Sequence, residues 1–275
     1  MRWKKVLARG QQVMATYAIK AVKYCEQSVP GAQMFYMARW DEWLEADFFF
    51  FILRRDDGKV MLIDTGIRDV EEIQPLVIAG VGERGRFRMD MATQNIPLLL
   101  RREGVDPAEV EYVFLTHLHY DHCSNVPLFP NAKFVLSRTG WHRTLDPPHP
   151  SLVPDVLFPR DVLAYLINEA RDRLILVDDE APEIIPGIGA FYIGGHTMCS
   201  QAITVQTKYG RAVFPGDTIF YYENLEKNHP VGLAVDIVQC YQALERVRAV
   251  ADIFVPPHDP LLLKRYPDGV IVGAH

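Results

Sequence analysis

Residues 46–53 (ADFFFFIL) form a run that is apolar and aromatic but for Asp47, the polar stretch RRDDGK follows at 54–59, and a second apolar run, VMLI, fills 60–63. Two such runs around an Asp-Asp-Gly turn predict a β-hairpin. Because the first run is continuous rather than alternating, it predicts a strand covered on both faces, and the four phenylalanines read as core rather than as the wall of a ligand pocket. Further strands are predicted at 111–116 (EYVFLT), 133–137 (KFVLS), 174–177, 190–193, 202–207, 212–214 and 253–255. Helical periodicity marks 161–170 and 236–250, and a short helical stretch at 93–102 is broken by Gly104 and Asp106-Pro107. The rest of 67–100 is expected to be loop over one edge, and the stretch after residue 137, with Pro147, Pro148, Pro150, Pro154 and Pro159, an irregular excursion. With no internal repeat or low-complexity linker, the 275 residues are expected to fold as one α/β domain.

Composition narrows the class of partner. A formal net charge of −6 argues against nucleic acid, which needs a basic face to displace counterions. Neither the basic N-terminal stretch nor any later segment has the apolar length of a signal peptide or a membrane span, so a cytoplasmic protein away from membranes is expected. Cys25, Cys123, Cys199 and Cys240 are scattered without a Cys-x-x-Cys pair, which fits reduced, buried thiols; Cys123 and Cys199 stand beside candidate ligands without forming a ligand set.

Candidate chemistry concentrates directly after the strand predicted at 111–116. Residues 117–122 read His-Leu-His-Tyr-Asp-His, which puts His117, His119, Asp121 and His122 within six positions. Imidazole and carboxylate suit zinc and related first-row ions. Four such groups exceed the three protein ligands of an open tetrahedral site, so a second metal is implied. Three more candidates each follow a predicted strand: His196 after Gly194-Gly195, Asp217 after Pro215-Gly216, and His258 after Pro256-Pro257. Singly, each would more often be a cap or a surface residue. Their order carries the weight, and His142, His149, His229 and His275 join no motif and are expected at the surface.

His-x-His-x-Asp-His, a later Gly-His, a Gly-Asp-Thr and a final His, preceded by Asp64-Thr65-Gly66, together resemble the metallo-β-lactamase superfamily over roughly residues 46–260. The resemblance implies a four-layer αββα sandwich with metals at one edge. It implies that His117, His119 and His196 bind one metal, that Asp121, His122 and His258 bind the other, and that Asp217 bridges them. Asp64 would act through a ligating imidazole. Two divalent ions are expected, zinc first, with manganese, iron and cobalt as alternatives. A hydroxide held between two cations is a ready nucleophile near neutral pH, and Asp121 is the candidate for carrying a proton to the leaving group.

Within the superfamily, exported β-lactamases usually lack an aspartate at the bridging position, and flavin-linked oxidoreductases replace the second histidine with glutamate. Glyoxalase II enzymes continue into a helical C-terminal domain, whereas 17 residues (275 − 258) follow His258 here. The stretch 217–257 is most similar to the quorum-quenching N-acyl-homoserine lactonases, which implies hydrolysis of a small-molecule lactone; other esters, thioesters or amides, or a silent metal-containing metabolite-binding protein, are the alternatives. Those lactonases carry a tyrosine three positions after the bridging aspartate. Phe220 stands there in this chain, followed by Tyr221 and Tyr222, and Tyr221 is taken as the substrate contact in its place. Residues 67–100 and 138–172 are expected to shape the substrate pocket, and the aromatic segment 34–43 to supply the interface of a homodimer.

Overall fold

The aromatic run is a strand in the computed structural model, which describes residues 15–274. Among the described residues there are twelve strands: β1 (Tyr17–Pro30), β2 (Trp43–Arg55), β3 (Val60–Ile63), β4 (Val110–Phe114), β5 (Lys133–Ser137), β6 (Leu174–Val177), β7 (Glu180–Ile185), β8 (Ile188–Tyr192), β9 (Gln201–Thr207), β10 (Gly210–Phe214), β11 (Ile253–Phe254) and β12 (Val270–Val272). They form a seven-stranded sheet in the order β12-β1-β2-β3-β4-β5-β6 and a five-stranded sheet in the order β11-β10-β9-β8-β7. The first sheet is antiparallel from β12 to β3 and parallel from β3 to β6. In the second only β10 and β11 run parallel.

The phenylalanine run shows why its apolarity is continuous. Successive side chains of a strand face opposite ways. Phe49 and Phe51 join Phe114, Ile203 and Phe214 in the layer between the sheets, while Phe48 and Phe50 join the core on the other face. Helices cover the outer faces of both sheets; in chain order these include α1 (Gly31–Met34), α2 (Val70–Val81), α3 (Ile96–Arg102), α4 (Tyr120–Cys123), α5 (Arg138–Leu145), α6 (Arg160–Asn168), α7 (Tyr222–Glu226) and α8 (Ile237–Val250). Ile73 of α2, Leu100 of α3 and Leu166 of α6 all pack into the core that Phe48 and Phe50 join. Ala243, Leu244 and Val247 of α8 cover Phe191 and Val213 on the outside of the second sheet. Helix, sheet, sheet, helix is the metallo-β-lactamase fold.

Several elements lie where none was expected. β1 escapes because Lys20, Lys23 and Glu26 interrupt its pattern and a register shift between Lys23 and Cys25 breaks its alternation. α2 occupies part of the expected loop; Pro75 within it and Gly80 near its end hide a helix that Asp69 caps by accepting from the Glu71 amide. α5 interrupts the expected excursion, its start capped by the Ser137 hydroxyl accepting from the Gly140 amide. The expected N-terminal features before residue 15 and His275 lie outside the described residues. Among the described residues, no helix is long and apolar enough to cross a membrane.

The fold matters for chemistry through its strand ends. Asp64 follows β3, the 117–122 motif follows β4, His196 follows β8, Asp217 follows β10 and His258 follows β11. Both sheets thereby deliver polar side chains to one edge of the sandwich.

Candidate metal centre

The 117–122 motif is compressed by a change of backbone. His117 lies three residues beyond the end of β4, His119 stands at the N-cap of α4, and Asp121 and His122 occupy its first turn. Asp217 reaches the same place because Gly216 precedes it: φ there is +55°, and a Cβ would lie 2.7 Å from that of Thr116. Gly195, at φ +81°, performs the same service before His196, where a Cβ would meet the Cys240 sulfur at 2.8 Å.

Donor atoms of His117, His119, His196 and Asp217 all lie within 4.8 Å of one another, and so do those of Asp121, His122, Asp217 and His258. Asp217 is common to both groups. Its Oδ1 lies 3.1 Å from His122 Nε2 and 3.0 Å from His258 Nε2, and its Oδ2 lies 3.7 Å from His117 Nε2 and 3.5 Å from His196 Nε2. Most rings are anchored through the nitrogen that faces away. His122 Nδ1 donates to Asp64 Oδ2 at 2.8 Å, His196 Nδ1 to the Leu233 carbonyl at 2.6 Å, and His258 Nδ1 to the Asp47 carbonyl at 3.1 Å. His119 is turned round, with Nδ1 3.0 Å from His196 Nε2.

Thr116 ties two rings to one carboxylate. Its hydroxyl has a single proton and lies 2.8 Å from Asp64 Oδ2, so it donates there and accepts from His117 Nδ1 at 3.1 Å. The Thr116 amide donates to Asp64 Oδ1 at 2.8 Å. Asp64 itself sits at φ +59°, a left-handed conformation that aspartate tolerates better than most residues and that these bonds hold in place.

This donor set fits divalent cations. Nε2 of His117 and of His122 are buried and make no hydrogen bond, an arrangement unfavourable unless something else completes them. Nitrogen and carboxylate donors without thiolate are the set expected for zinc or a related ion, whose ligands in a tetrahedral shell stand about 3.3 Å apart. Burial lowers the proton affinity of His117 and His196, and carries the pKa of His119 down to about 3 with the help of His196. His122 differs: burial disfavours its charge, but Asp121, Asp217 and Asp64 outweigh that and raise its pKa well above the ordinary value. Asp217 is likewise buried yet held well below the carboxylate range by His122, His258 and His117. Neutral imidazoles and ionised carboxylates are the forms in which such groups bind a cation.

A cavity of about 550 Å³ opens beside the cluster. His119, Asp121, His196, Asp217 and His258 border it, and much of the remaining wall is apolar, including Ile73, Val77, Phe87, Phe220 and Phe48; the phenylalanine run, expected as core alone, thus gives one ring to the wall because alternate side chains of β2 face away from the second sheet. Among the described residues, no lysine or arginine lines it. Residues 67–100 contribute α2 and Phe87, whereas 138–172 contribute Leu157 alone. Sequence reasoning missed the share of β1 and α1, namely Gln27, Val29, Gln33 and Met34. No local signal marked them, because the broken pattern of β1 hid the strand itself.

Tyr221 needs a correction. It is absent from the cavity wall, where Phe220 stands, and its buried hydroxyl donates to the Glu45 carbonyl at 2.9 Å while its ring stacks on Phe35. A hydroxyl satisfied in the interior is not free to meet a substrate. Cys123 and Cys199 are fully buried and line neither the cavity nor a ligand group. His142 and His149 are exposed, and His229 donates to the Tyr36 carbonyl at 2.8 Å.

The profile of the metallo-beta-lactamase superfamily matches residues 49–258. An N-acyl homoserine lactonase of Bacillus thuringiensis is 24% identical over 182 residues, which cover 66% of this chain and 67% of that protein. Among solved structures, an N-acyl homoserine lactone hydrolase with the product N-hexanoyl-L-homoserine at its catalytic metal centre superposes with a TM-score of 0.71 at 17% identity, covering 90% of this chain and 95% of the other. A dizinc quorum-quenching lactonase in complex with a product gives 0.65 at 14% identity, covering 95% and 92%.

Proposed function

This chain belongs to the metallo-beta-lactamase superfamily, and from that premise we propose that it is a two-metal hydrolase of small, uncharged lactones, with N-acyl-homoserine lactones or related cyclic esters as its substrates. The observation that carries this reading is a pair of four-residue donor groups sharing Asp217 beside an apolar cavity that, among the described residues, has no lysine or arginine in its wall. His117, His119 and His196 would hold one ion and Asp121, His122 and His258 the other, with Asp217 common to both donor groups. Zinc suits the donors best. Divalent cations there would supply Lewis acidity, polarising a carbonyl and lowering the pKa of water.

The chain's own groups do the rest. Asp64 fixes the His122 ring, and Thr116 fixes that of His117. Asp121 is partly exposed and lines the cavity, which supports a role for its carboxylate in taking up a proton and handing it to the leaving oxygen. Phe48, Phe220 and Leu157 exclude bulk water around the scissile ester. Self-association through the segment 34–43 would use Met37 and Trp40, each 65% exposed.

The test is elemental analysis of protein purified without chelators, followed by turnover of five- and six-membered lactones, linear esters, thioesters and amides. Two equivalents of metal with preferred lactone cleavage is the expected result. Cleavage of linear esters or amides alone would remove the lactone assignment and keep the hydrolase, whereas full activity with a single equivalent would remove the two-metal site.

A further inference from the structure

With the five candidate ligands that border it set aside, the polar side chains of the cavity wall among the described residues are Gln27 and Gln33. Gln33 is partly exposed on the short α1. Gln27 is 8% exposed, and its carboxamide has a fixed sense, because Nε2 donates to the Gly85 carbonyl at 2.8 Å. A carbonyl can only accept, so the nitrogen must face Gly85 and the oxygen must face elsewhere. Among the described residues no group donates to that oxygen, and it is not one of the sealed, unpaired atoms of the interior. It is an accessible acceptor, nine-tenths buried with its residue and lacking a donor.

Its place in the sheet gives that acceptor a use. Gln27 of β1 pairs with Ala46 of β2, and the next residue, Asp47, gives its carbonyl to His258 Nδ1. The unpaired oxygen therefore belongs to a residue one register step from the ligand shell. Beyond it the wall is apolar, and with no lysine or arginine among the described residues of that wall an anionic tail would find no partner there. What fits is a neutral molecule that carries a hydrogen-bond donor close to the reacting carbonyl and an apolar tail after it.

We propose, resting on the hydrolase reading above, that Gln27 is a specificity-determining residue: its carboxamide oxygen accepts a hydrogen bond from an amide N–H of the substrate. The site then distinguishes an amide-bearing lactone from one whose nitrogen has no hydrogen, while the apolar tail runs along Val29, Ile73 and Val77.

The experiment pairs each N-acyl-homoserine lactone with its N-methyl derivative, which removes the donor and leaves the carbonyl. Native protein and Gln27→Leu, loaded with the same metal, are compared on both. Any steric penalty of the methyl group is common to the two proteins, so the difference isolates the hydrogen bond. The native preference for N–H is expected to exceed that of the variant about tenfold in kcat/KM. A native protein without preference, or a Gln27→Leu preference within about twofold of the native one, overturns the proposal. Calorimetric affinities for an uncleavable pair, an N-acyl cyclopentylamine and its N-methyl form, repeat the comparison without turnover. Should native protein cleave nothing yet bind the N–H form more tightly through Gln27, the hydrolase reading fails and Gln27 stands. Should it cleave lactones while both pairs give equal values, Gln27 fails alone. Gln27→Met is the substitute if the leucine variant does not fold by circular dichroism.

Discussion

The ligand cluster and the cavity wall beside it meet at the same residues but are built in different ways. In the cluster most imidazoles are fixed twice, once by the backbone at a strand end and once through the nitrogen that faces away, with Thr116 and Asp64 linking two of them. The wall has almost no such bonds. Its residues come from β1, α1, β2 and α2 and hold their places by packing. Directional bonds fix atoms to fractions of an ångström, while packing fixes volume. The cluster is thus suited to chemistry and the wall to choosing among substrates, and changes in the two regions should fail differently.

The largest contrast should come from Asp217. Asp217→Asn removes a charge shared by both donor groups and is expected to reduce turnover by on the order of 10²–10³-fold or more while circular dichroism stays native. Near-parental activity with unchanged metal content would make Asp217 a turn residue and dissolve the contrast. Asp64→Asn is expected to lose less, because it acts through the His122 ring. Metal affinity, followed by competition with a chelator, should fall roughly 10- to 100-fold, and unchanged affinity would leave Asp64 a purely local role beside Thr116.

On the wall, metal content should not move at all. Native protein is expected to gain up to about fourfold in kcat/KM for each methylene added to an apolar tail, following a transfer energy of roughly 0.8 kcal/mol per methylene, until the cavity is full. Val77→Trp narrows that space, so the gain should stop at shorter tails, leaving about tenfold less activity on long ones. Equal losses on short and long tails would mean that the tail lies elsewhere. The smallest effect is expected of Tyr221→Phe. Loss of its bond to the Glu45 carbonyl should reduce stability by about 1 kcal/mol in a denaturant titration, with turnover unchanged; a fall in turnover at constant stability would return Tyr221 to the substrate.

The same division decides what the sequence reveals. The donor residues are legible because polar groups at strand ends are few, closely spaced and chemically distinctive, as His117, His119, Asp121 and His122 are. Hairpin and central strands are legible from uninterrupted apolar runs. The wall is not, since Val29, Ile73 and Val77 look like any core residue and meet only after distant segments have packed. β1 was further concealed by its register shift, and α2 by Pro75. Tyr221 was misjudged for a related reason: adjacency in sequence to Phe220 says nothing of direction, and the two rings go to different surroundings.

The pleat of β1 and β2 has a consequence for descent. Gln27, Val29 and Ala46 face the cavity, while on β2 the intervening chain places Phe49 and Phe51 between the sheets. A lineage can therefore alter the few positions of these strands that face the cavity, one codon at a time, and leave the layer between the sheets untouched. Substrate preference is free to wander among descendants whose reactive centre stays the same.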